Sequence, residues 1–182
     1  MIERFVTQAK RRRRVRSRPR TVLALTLFGL GLIGLAMLAR PAPWLVWNAS
    51  ASAPIGLYRV LPGKPIRGDL VLVHTPDSVR QLAAERGYLP ATVPLVKRVA
   101  ALDGDIVCAA ADVISVNGRV VAERLAHDRL GRPLPAWTGC QTLGPDDVFL
   151  LMEDVTGSFD GRYFGSVRRA AIIGRLAPLW IE

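Results

Sequence analysis

The chain has few of the residues that bind metals or form the common catalytic triads. Its 182 residues include only two histidines and two cysteines, and their spacing is not that of a metal site. His74 follows a predicted strand without a nearby acidic partner, and His127 lies in a polar segment. A Ser-His-Asp triad is therefore not indicated. The sequence also lacks internal repeats and a phosphate-binding glycine loop. Because neither a metal-site spacing nor a nucleotide-binding motif is present, we expect no metal and no other cofactor.

Acidic residues are scarce at the start of the chain, where the positive charge is concentrated. Residues 1–20 hold nine Lys and Arg against Glu3, a net charge of +8 out of the total of +10. The remainder is nearly neutral, so the high isoelectric point describes a tail and not a basic globular surface. Such a tail can bind nucleic-acid phosphates or set the orientation of a membrane segment. The next stretch favours the second interpretation.

Residues 21–39 contain no charged side chain. A helix of this length spans ~28 Å, close to the ~30 Å thickness of a bilayer's hydrocarbon core. Because flanking basic residues mark the cytoplasmic side, we predict a cytoplasmic tail (1–20), one transmembrane helix (21–39), a linker (40–47) and an extracytoplasmic domain (48–182). A cleaved secretory signal is the alternative, but the apolar stretch is long for one and Met37-Leu38-Ala39 is a poor cleavage site.

The two cysteines, Cys108 and Cys140, both fall in the predicted extracytoplasmic part. An even number of cysteines in an oxidising compartment favours a disulfide. Two buried free thiols are the alternative, since reduced cysteine is common in protein cores.

The part of the chain beyond residue 48 has the pattern of a mostly β domain. Short apolar segments bounded by turn residues predict strands. They are residues 57–61, 69–74, 95–101, 106–109, 113–116, 119–122, 148–152 and 170–179. Asn117-Gly118 predicts a tight hairpin, residues 77–88 have helical spacing, and the Gly- and Pro-rich residues 123–145 predict a long loop or insertion. We expect partly closed sheets with little helix.

Ser50 and Ser52 are candidate nucleophiles. They lie two residues apart in a stretch that continues with Pro54 and Gly56. Proline fixes one backbone angle and glycine permits a tight bend, so a serine on such a turn presents its hydroxyl outward. An ordinary Ser/Ala/Pro/Gly linker is the alternative explanation of the same composition.

Lys97 is a candidate general base. A lysine can accept a proton only when neutral, which requires its pKa to fall from about 10.4 to about 7–8, and burial among apolar groups lowers it in this way. Lys97 stands within an apolar predicted strand, and strand alternation places Lys97 and Arg98 on opposite faces. A solvated basic pair on an edge strand is the alternative.

Three stretches together resemble the type I signal peptidase (S26) family of Ser/Lys proteases. They are residues 48–58, 94–105 and 158–165, in the order found in that family. The first has the form Asn-x-Ser-x-Ser-x-Pro-x-Gly-x-Tyr and is most similar to the TraF-type, conjugative-transfer branch. The resemblance implies a LexA/signal-peptidase-type β ectodomain on a single N-terminal transmembrane helix. It also implies a bacterial inner-membrane protein whose catalytic domain is periplasmic.

The resemblance assigns roles to individual residues. Ser52 corresponds to the nucleophile and Lys97 to the general base. Ser50 corresponds to a hydroxyl that completes the oxyanion hole beside the Ser52 backbone N–H, and Ser158 to a hydroxyl that orients the lysine amine. Asp160 and Arg162 correspond to residues that pair and hold this loop. A polar turn with a surface ion pair is the alternative for residues 158–162.

The sequence departs from the general signal peptidases at two places. Ala53 and Pro54 follow the serine where those enzymes have methionine, and residues 153–157 are Glu-Asp-Val-Thr-Gly in place of their Gly-Asp-Asn. The departures favour a dedicated substrate. The resemblance implies a serine endopeptidase that matures a pilin-like precursor, with or without cyclisation. Its partners would be the bilayer and conjugation or type IV secretion components, without nucleic acid.

Three other functions stay open at this level. One is a general type I signal peptidase that removes signal peptides. Another is a non-catalytic membrane-anchored assembly protein of a secretion apparatus, in which the serine stretch is a linker. The third is an Arg-rich nucleic-acid-binding anchor.

Overall fold

The computed structural model describes residues 19–39 and 43–182 of the chain. Residues 1–18 and 40–42 lie outside the described residues, and with them most of the predicted cytoplasmic tail and the start of the predicted linker. The chain divides into two units at residues 41 and 42. Within the described residues, the first contains a helix and the second is a β domain.

The helical unit contains α1, which spans Pro19–Ala39. After Arg20 and Thr21 its residues are apolar except for Thr26, and Leu25, Phe28 and Leu35 are about two-thirds exposed. A helix that is apolar on every side is stable in apolar surroundings, because it has no polar face to turn toward water. The stretch Pro19–Met37 is long and apolar enough to cross a membrane. α1 is thus the candidate membrane anchor that the sequence predicted.

The β domain is built on an open seven-stranded sheet. The strand order is β1-β2-β11-β3-β4-β9-β10. The strands are β1 (Leu45–Asn48), β2 (Gly56–Leu61), β3 (Leu70–Val73), β4 (Leu95–Ala101), β9 (Asp147–Leu150), β10 (Val167–Arg168) and β11 (Ile172–Ile181). All neighbouring strands are antiparallel. Helix α2 (Asp77–Glu85) connects β3 to β4, and the short helix α3 (Gly161–Phe164) precedes β10.

A second, four-stranded antiparallel sheet forms the rest of the domain. Its order is β7-β6-β5-β8, with β5 (Ile106–Ala110), β6 (Val113–Val116), β7 (Arg119–Glu123) and β8 (Gly139–Thr142). Asn117 and Gly118, both with positive φ, make the predicted turn between β6 and β7. Cys108 and Cys140 are opposite each other on β5 and β8 and form a disulfide, as the sequence predicted.

The core lies where these sheets meet. Ile114 of the small sheet and Phe149 of β9 are fully buried in one apolar cluster. Val71 and Leu150 lie in a second cluster within the large sheet, and Leu72 lies in a third that reaches the serine turn. Strand β4 contributes to all three clusters, so its side chains are positioned firmly from both faces.

The predicted strands are found with small shifts at their ends, and four elements were missed. Strand β1 occupies residues assigned mostly to the linker, β8 lies inside the predicted loop 123–145, and no element was predicted for the residues of α3 and β10. Each missed element is only two to four residues long. Segments this short carry too little periodicity to be recognised, and they form because a neighbouring strand or loop supplies their hydrogen bonds.

Candidate active site

The turn that carries Ser52 is held from inside by Asn48 at the end of β1. Asn48 is buried, and its amide nitrogen lies 3.0–3.1 Å from the carbonyl oxygens of Ser50, Ala53 and Pro54. Its amide oxygen accepts a hydrogen bond from the Ser50 N–H. These bonds satisfy the backbone of a turn that has no sheet partner. The sequence contained Asn48 in the recognised stretch, but nothing in the sequence alone indicated this clamping role.

Ser50 and Ser52 face each other on this turn. Their hydroxyl oxygens lie 2.9 Å apart, and the Ser52 N–H donates to Ser50 Oγ at 3.3 Å. The Ser50 hydroxyl and the Ser52 N–H thus both lie beside Ser52 Oγ, and in this structure they bond each other and the Ser52 hydroxyl. They are the candidate donors to an oxygen bound next to the nucleophile.

Lys97 reaches the serine turn from the middle of β4. The side chain is 3% exposed, whereas Arg98 beside it is exposed, so strand alternation separates the two as predicted. Lys97 Nζ lies 3.0 Å from Ser52 Oγ and 2.9 Å from Ser158 Oγ. The solvated basic pair is therefore not what forms. The structure brings together three residues that are 45 and 61 positions apart in the sequence.

Burial changes the protonation of this lysine. Desolvation lowers the pKa of Lys97 from its ordinary 10.5 to about 8, the Asp160 carboxylate raises it, and the Arg162 guanidinium lowers it further. Desolvation is the largest of the three effects because burial disfavours the charged ammonium, and the two charges beside it act in opposite directions. A pKa near 8 leaves a useful fraction of neutral amine near neutral pH.

Asp160 and Arg162 form a buried ion pair near Lys97. Their side chains are 0% and 1% exposed, and Arg162 Nε donates to Asp160 Oδ1 at 2.8 Å. The surface ion pair considered from sequence is therefore wrong. The Asp160 carboxylate also accepts hydrogen bonds from the N–H groups of Arg162 and Met152. The Arg162 guanidinium donates to the carbonyls of Met152 and Thr156. Every strong group of the pair is thus partnered, which a buried charge pair requires.

Gly161 explains why this pair can sit so deep. A Cβ at this position would lie 2.6 Å from the Leu150 carbonyl oxygen and 2.8 Å from the Phe149 ring. Only glycine permits the segment to approach β9 this closely. The sequence contains the Asp-Gly-Arg run but does not indicate how closely this segment packs against β9.

Arg124 is a positioning residue that sequence analysis did not find. It lies just after β7, is 7% exposed, and donates to the carbonyls of Trp137 and Arg162 at 2.9 and 3.4 Å. It also donates to the carbonyl of Ala111. Its guanidinium thereby ties the small sheet to the segment that carries Ser158 and Asp160. An arginine next to a predicted loop carries no sequence signal that would distinguish it from a solvated one.

Two cavities meet at Ser52. The larger, about 760 Å³, is lined by Ser52, Lys97, Ser158 and residues of β1 and β4. The other, about 690 Å³, is lined by residues 53–55 and 152–155, among others.

Two strands that line the larger cavity have a free edge. In β4, only Val99 and Ala101 pair with β9, so the part of β4 before Lys97 is paired with β3 alone. Strand β1 pairs only with β2. The larger cavity thus lies between two strand edges that can pair with an extended peptide.

The histidines lie away from this site. His74 directly follows β3 and donates its backbone N–H to the Ala171 carbonyl, and His127 pairs with Pro133 in an isolated bridge. Neither lines the two cavities. Within residues 19–39 and 43–182, no group of three His, Cys, Asp or Glu could hold a metal ion.

Comparison with known proteins identifies the family. The family described as "Signal peptidase, peptidase S26" matches residues 18–180. The chain belongs to the S26 signal peptidase family. Its relatives include the plasmid transfer protein TraF of Escherichia coli, which is 38% identical over 143 residues, covering 72% of this chain and 80% of that one. They also include a probable conjugal transfer protein TraF of Sinorhizobium fredii, 35% identical over 162 residues, covering 80% and 85%.

A solved structure was also found, that of a signal peptidase I from Enterococcus faecalis. It covers 63% of this chain and 98% of that protein, with a TM-score of 0.38 and 21% sequence identity. The family match and the relatives named TraF make this S26 protein a peptidase with a candidate membrane anchor and a mostly β domain.

Proposed function

We propose that the chain is a membrane-anchored serine endopeptidase in which Ser52 is the nucleophile and Lys97 the general base. The observation that carries the proposal is the position of Lys97 Nζ, which lies about 3 Å from both the Ser52 and the Ser158 hydroxyls in a water-excluded site. Nucleophilic catalysis needs a hydroxyl beside a base, and the base in turn needs a third group that orients it.

The catalytic steps follow from these contacts. Neutral Lys97 Nζ removes the proton from Ser52 Oγ as this oxygen attacks the peptide carbonyl. The negative charge on the carbonyl oxygen is stabilised by the Ser52 N–H and the Ser50 hydroxyl. The lysine ammonium then returns its proton to the departing amine, which leaves an ester on Ser52. A second nucleophile resolves the ester after Lys97 removes its proton, and Ser52 is regenerated.

Ser158, Asp160 and Arg162 support the lysine without reacting. Ser158 Oγ fixes the direction of Lys97 Nζ, so that the amine faces Ser52. The Asp160–Arg162 pair carries no net charge. It holds the segment through hydrogen bonds to four backbone groups outside the pair, the Met152 N–H and the carbonyls of Met152, Thr156 and Glu123. A rigid support of this kind matters because small displacements of a catalytic group cost large factors in rate.

The bilayer is the proposed surface on which the enzyme works. Trp47 of β1 and Trp180 of β11 stack with ring centroids 5.6 Å apart, and each is about half exposed. Trp44, Leu179 and Ile181 are exposed as well. Indole rings suit the membrane–water interface, where one edge is apolar and the other meets water. Since Trp47 also lines the larger cavity, contact of this face with lipid would place the cleft at the bilayer surface.

The orientation of the anchor is a further part of the proposal. The basic residues before α1 favour a cytoplasmic N-terminus and a periplasmic domain in the bacterial inner membrane. A reporter that is active only in the periplasm, fused after Glu182, should be active in cells. Activity of a cytoplasm-only reporter at the same position would reverse this topology.

The substrate class that we propose is a pilin-like precursor of a conjugation or type IV secretion system. Support comes from the relatives, which are named plasmid transfer and conjugal transfer proteins, and from the form of residues 48–58. No nucleic-acid partner is proposed, because most of the excess positive charge, +8 of the total of +10, lies in residues 1–20. The Ser52 ester can be resolved by water or by the substrate's own N-terminal amine, which tethering brings to a high effective concentration.

Cleavage of a pilin precursor by the detergent-purified protein tests this function. Ser52→Ala and Lys97→Ala should each abolish cleavage, and the double variant should be no worse, because the two residues act as a unit. Lys97→Arg should also be inactive, since guanidinium stays charged. The controls are Ser78→Ala and Lys64→Ala. Both residues are exposed, and neither lines the two cavities. Full cleavage by Lys97→Ala would eliminate the Ser/Lys mechanism.

Two further measurements separate the finer alternatives. A generic secretory pre-protein cleaved as fast as the pilin precursor would indicate a general signal peptidase. Intact mass of the mature pilin distinguishes the two ways of resolving the ester. The mass of the trimmed chain less one water supports cyclisation, and the full mass indicates hydrolysis.

A further inference from the structure

The loop between β7 and β8 is folded around the carboxylate of Asp128. This carboxylate accepts hydrogen bonds from the N–H of Leu130, from the N–H of Arg132 and from the Arg132 Nε, at 2.6–2.9 Å. Two backbone bonds, Asp128 N–H to the Arg132 carbonyl and Leu134 N–H to the Ala126 carbonyl, close the loop into a hairpin-like shape. The tip, Arg129–Leu130, is therefore held in one conformation although it belongs to no strand.

The same loop is fastened to the neighbouring part of the domain. Tyr88, which follows α2, donates its hydroxyl to the Asp128 carboxylate, and the Arg132 guanidinium lies over the Tyr88 ring at 5.6 Å. Arg86 Nη1 donates to the Pro133 carbonyl at 2.7 Å. The Tyr88 ring packs against Phe159, the residue after Ser158, with centroids 5.3 Å apart. The loop is thus connected through two aromatic rings to the segment that orients Lys97.

The tip presents an apolar side chain to the cleft. Leu130 is 74% exposed, a large fraction for a leucine whose backbone is fixed. Leu125, Arg129, Leu130 and Leu134 all line the larger cavity together with Ser52 and Lys97. Arg129 is exposed and takes part in none of the ion pairs found in residues 43–182. An exposed leucine on a rigid tip inside a peptide-binding cleft gains stability only when a ligand covers it.

We propose that Arg129 and Leu130 form a distal specificity subsite for the acyl side of the peptide substrate. Leu130, together with Leu125 and Leu134 in the lining of the same cavity, takes an apolar side chain, and the Arg129 charge disfavours a basic residue beside it. The inference rests on the proposed function. The acyl side is assigned because that part of the substrate stays bound to Ser52 after the amine leaves. It therefore occupies the cavity that contains the strand edges and Lys97, which must act again in the second step.

Peptides of two lengths test the subsite. Both contain the cleavage site of the pilin precursor; one extends ten residues on the acyl side, and the other only three. For the long peptide, Leu130→Ser should lower kcat/KM by about tenfold through KM, with kcat unchanged, because the contact is the same in ground state and transition state. The short peptide should be cleaved equally by wild type and variant. Leu130→Met should restore the long-peptide value.

Val120→Ser provides the matched control. Val120 on β7 is also exposed, at 60%, but does not line either cavity, so its replacement should affect neither peptide. Arg129→Glu should reverse the preference between long peptides that carry Glu or Lys in the extension. Equal effects of Leu130→Ser on both peptides, or none on either, would overturn the subsite. Wild-type protein that cleaves neither peptide, or Ser52→Ala that cleaves both, would instead refute the proposed function.

Discussion

The protonation of Lys97 gives the most direct test of the proposed mechanism. Burial lowers the pKa of this lysine from 10.5 to about 8, which corresponds to about 3 kcal/mol in favour of the neutral amine. At pH 7 about one molecule in ten then has a neutral lysine, compared with roughly one in 3,000 for a solvated side chain. The two charges of the Asp160–Arg162 pair act on the amine in opposite directions, and both effects are smaller than that of burial.

The expected pH dependence follows from these fractions. If neutral Lys97 is the base, kcat/KM should rise tenfold per pH unit below about 8 and level off above it. The rise between pH 6 and the plateau should be about a hundredfold. The assay is cleavage of a quenched fluorescent precursor peptide by the detergent-purified protein between pH 5 and 10.5, with Ser52→Ala as the blank.

Two outcomes would refute this mechanism. A rate that keeps rising tenfold per unit through pH 10 would mean that the base has the pKa of a solvated lysine. A profile that is flat between pH 6 and 9 would mean that no group with a pKa near 8 takes part. Folding must be monitored in parallel, by near-UV circular dichroism, so that loss of structure at either extreme is not mistaken for titration.

Three further predictions concern stability. Because the pKa of Lys97 is lower in the folded state than in the unfolded state, the unfolded state binds more protons between about pH 8 and 10.5. The burial of Lys97 therefore costs stability fully below pH 8, and this cost disappears as the pH rises to 10.5. Lys97→Met should stabilise the domain at pH 7 by up to about 3 kcal/mol in urea unfolding, and the gain should vanish at pH 10.5; a gain that does not depend on pH would contradict the linkage. Asp160→Asn should destabilise by about 3–5 kcal/mol, because it leaves the Arg162 charge buried without a partner, whereas a loss under 1 kcal/mol would show that water reaches this site. Replacing Cys108 and Cys140 by serine removes a bridge across a sequence separation of 32 and should cost about 3–4 kcal/mol in the chain-entropy model; unchanged unfolding would be inconsistent with that model.

Several features could be predicted because their causes are local in the sequence. The candidate membrane helix follows from an uninterrupted apolar stretch, which acts through composition alone. The Asn117-Gly118 hairpin follows from two residues that accept positive φ. The opposite directions of the Lys97 and Arg98 side chains follow from alternation within one strand. In each case the controlling residues are neighbours, so a short stretch contains the whole cause.

The site itself was predicted in part. The residues at Ser50, Ser52, Lys97 and Ser158 could be named through resemblance to a family, and the structure brings them together. Asn48 and Arg124 were not assigned any role. Both act by donating hydrogen bonds to backbone carbonyls. Because every residue has a carbonyl, no pattern of side chains in the sequence predicts which one is bound.

Tertiary structure alone decided how deeply the polar residues are buried and what lines the cleft. Arg162 could be a surface arginine until Gly161 is seen to pack on β9, and residues 124–138 could be an ordinary loop until Asp128 and Tyr88 are seen to fasten them. Burial and cavity shape depend on segments that are far apart in the chain. Which residues contact each other is therefore decided by the packing of the whole domain, and a short stretch of sequence does not contain that information.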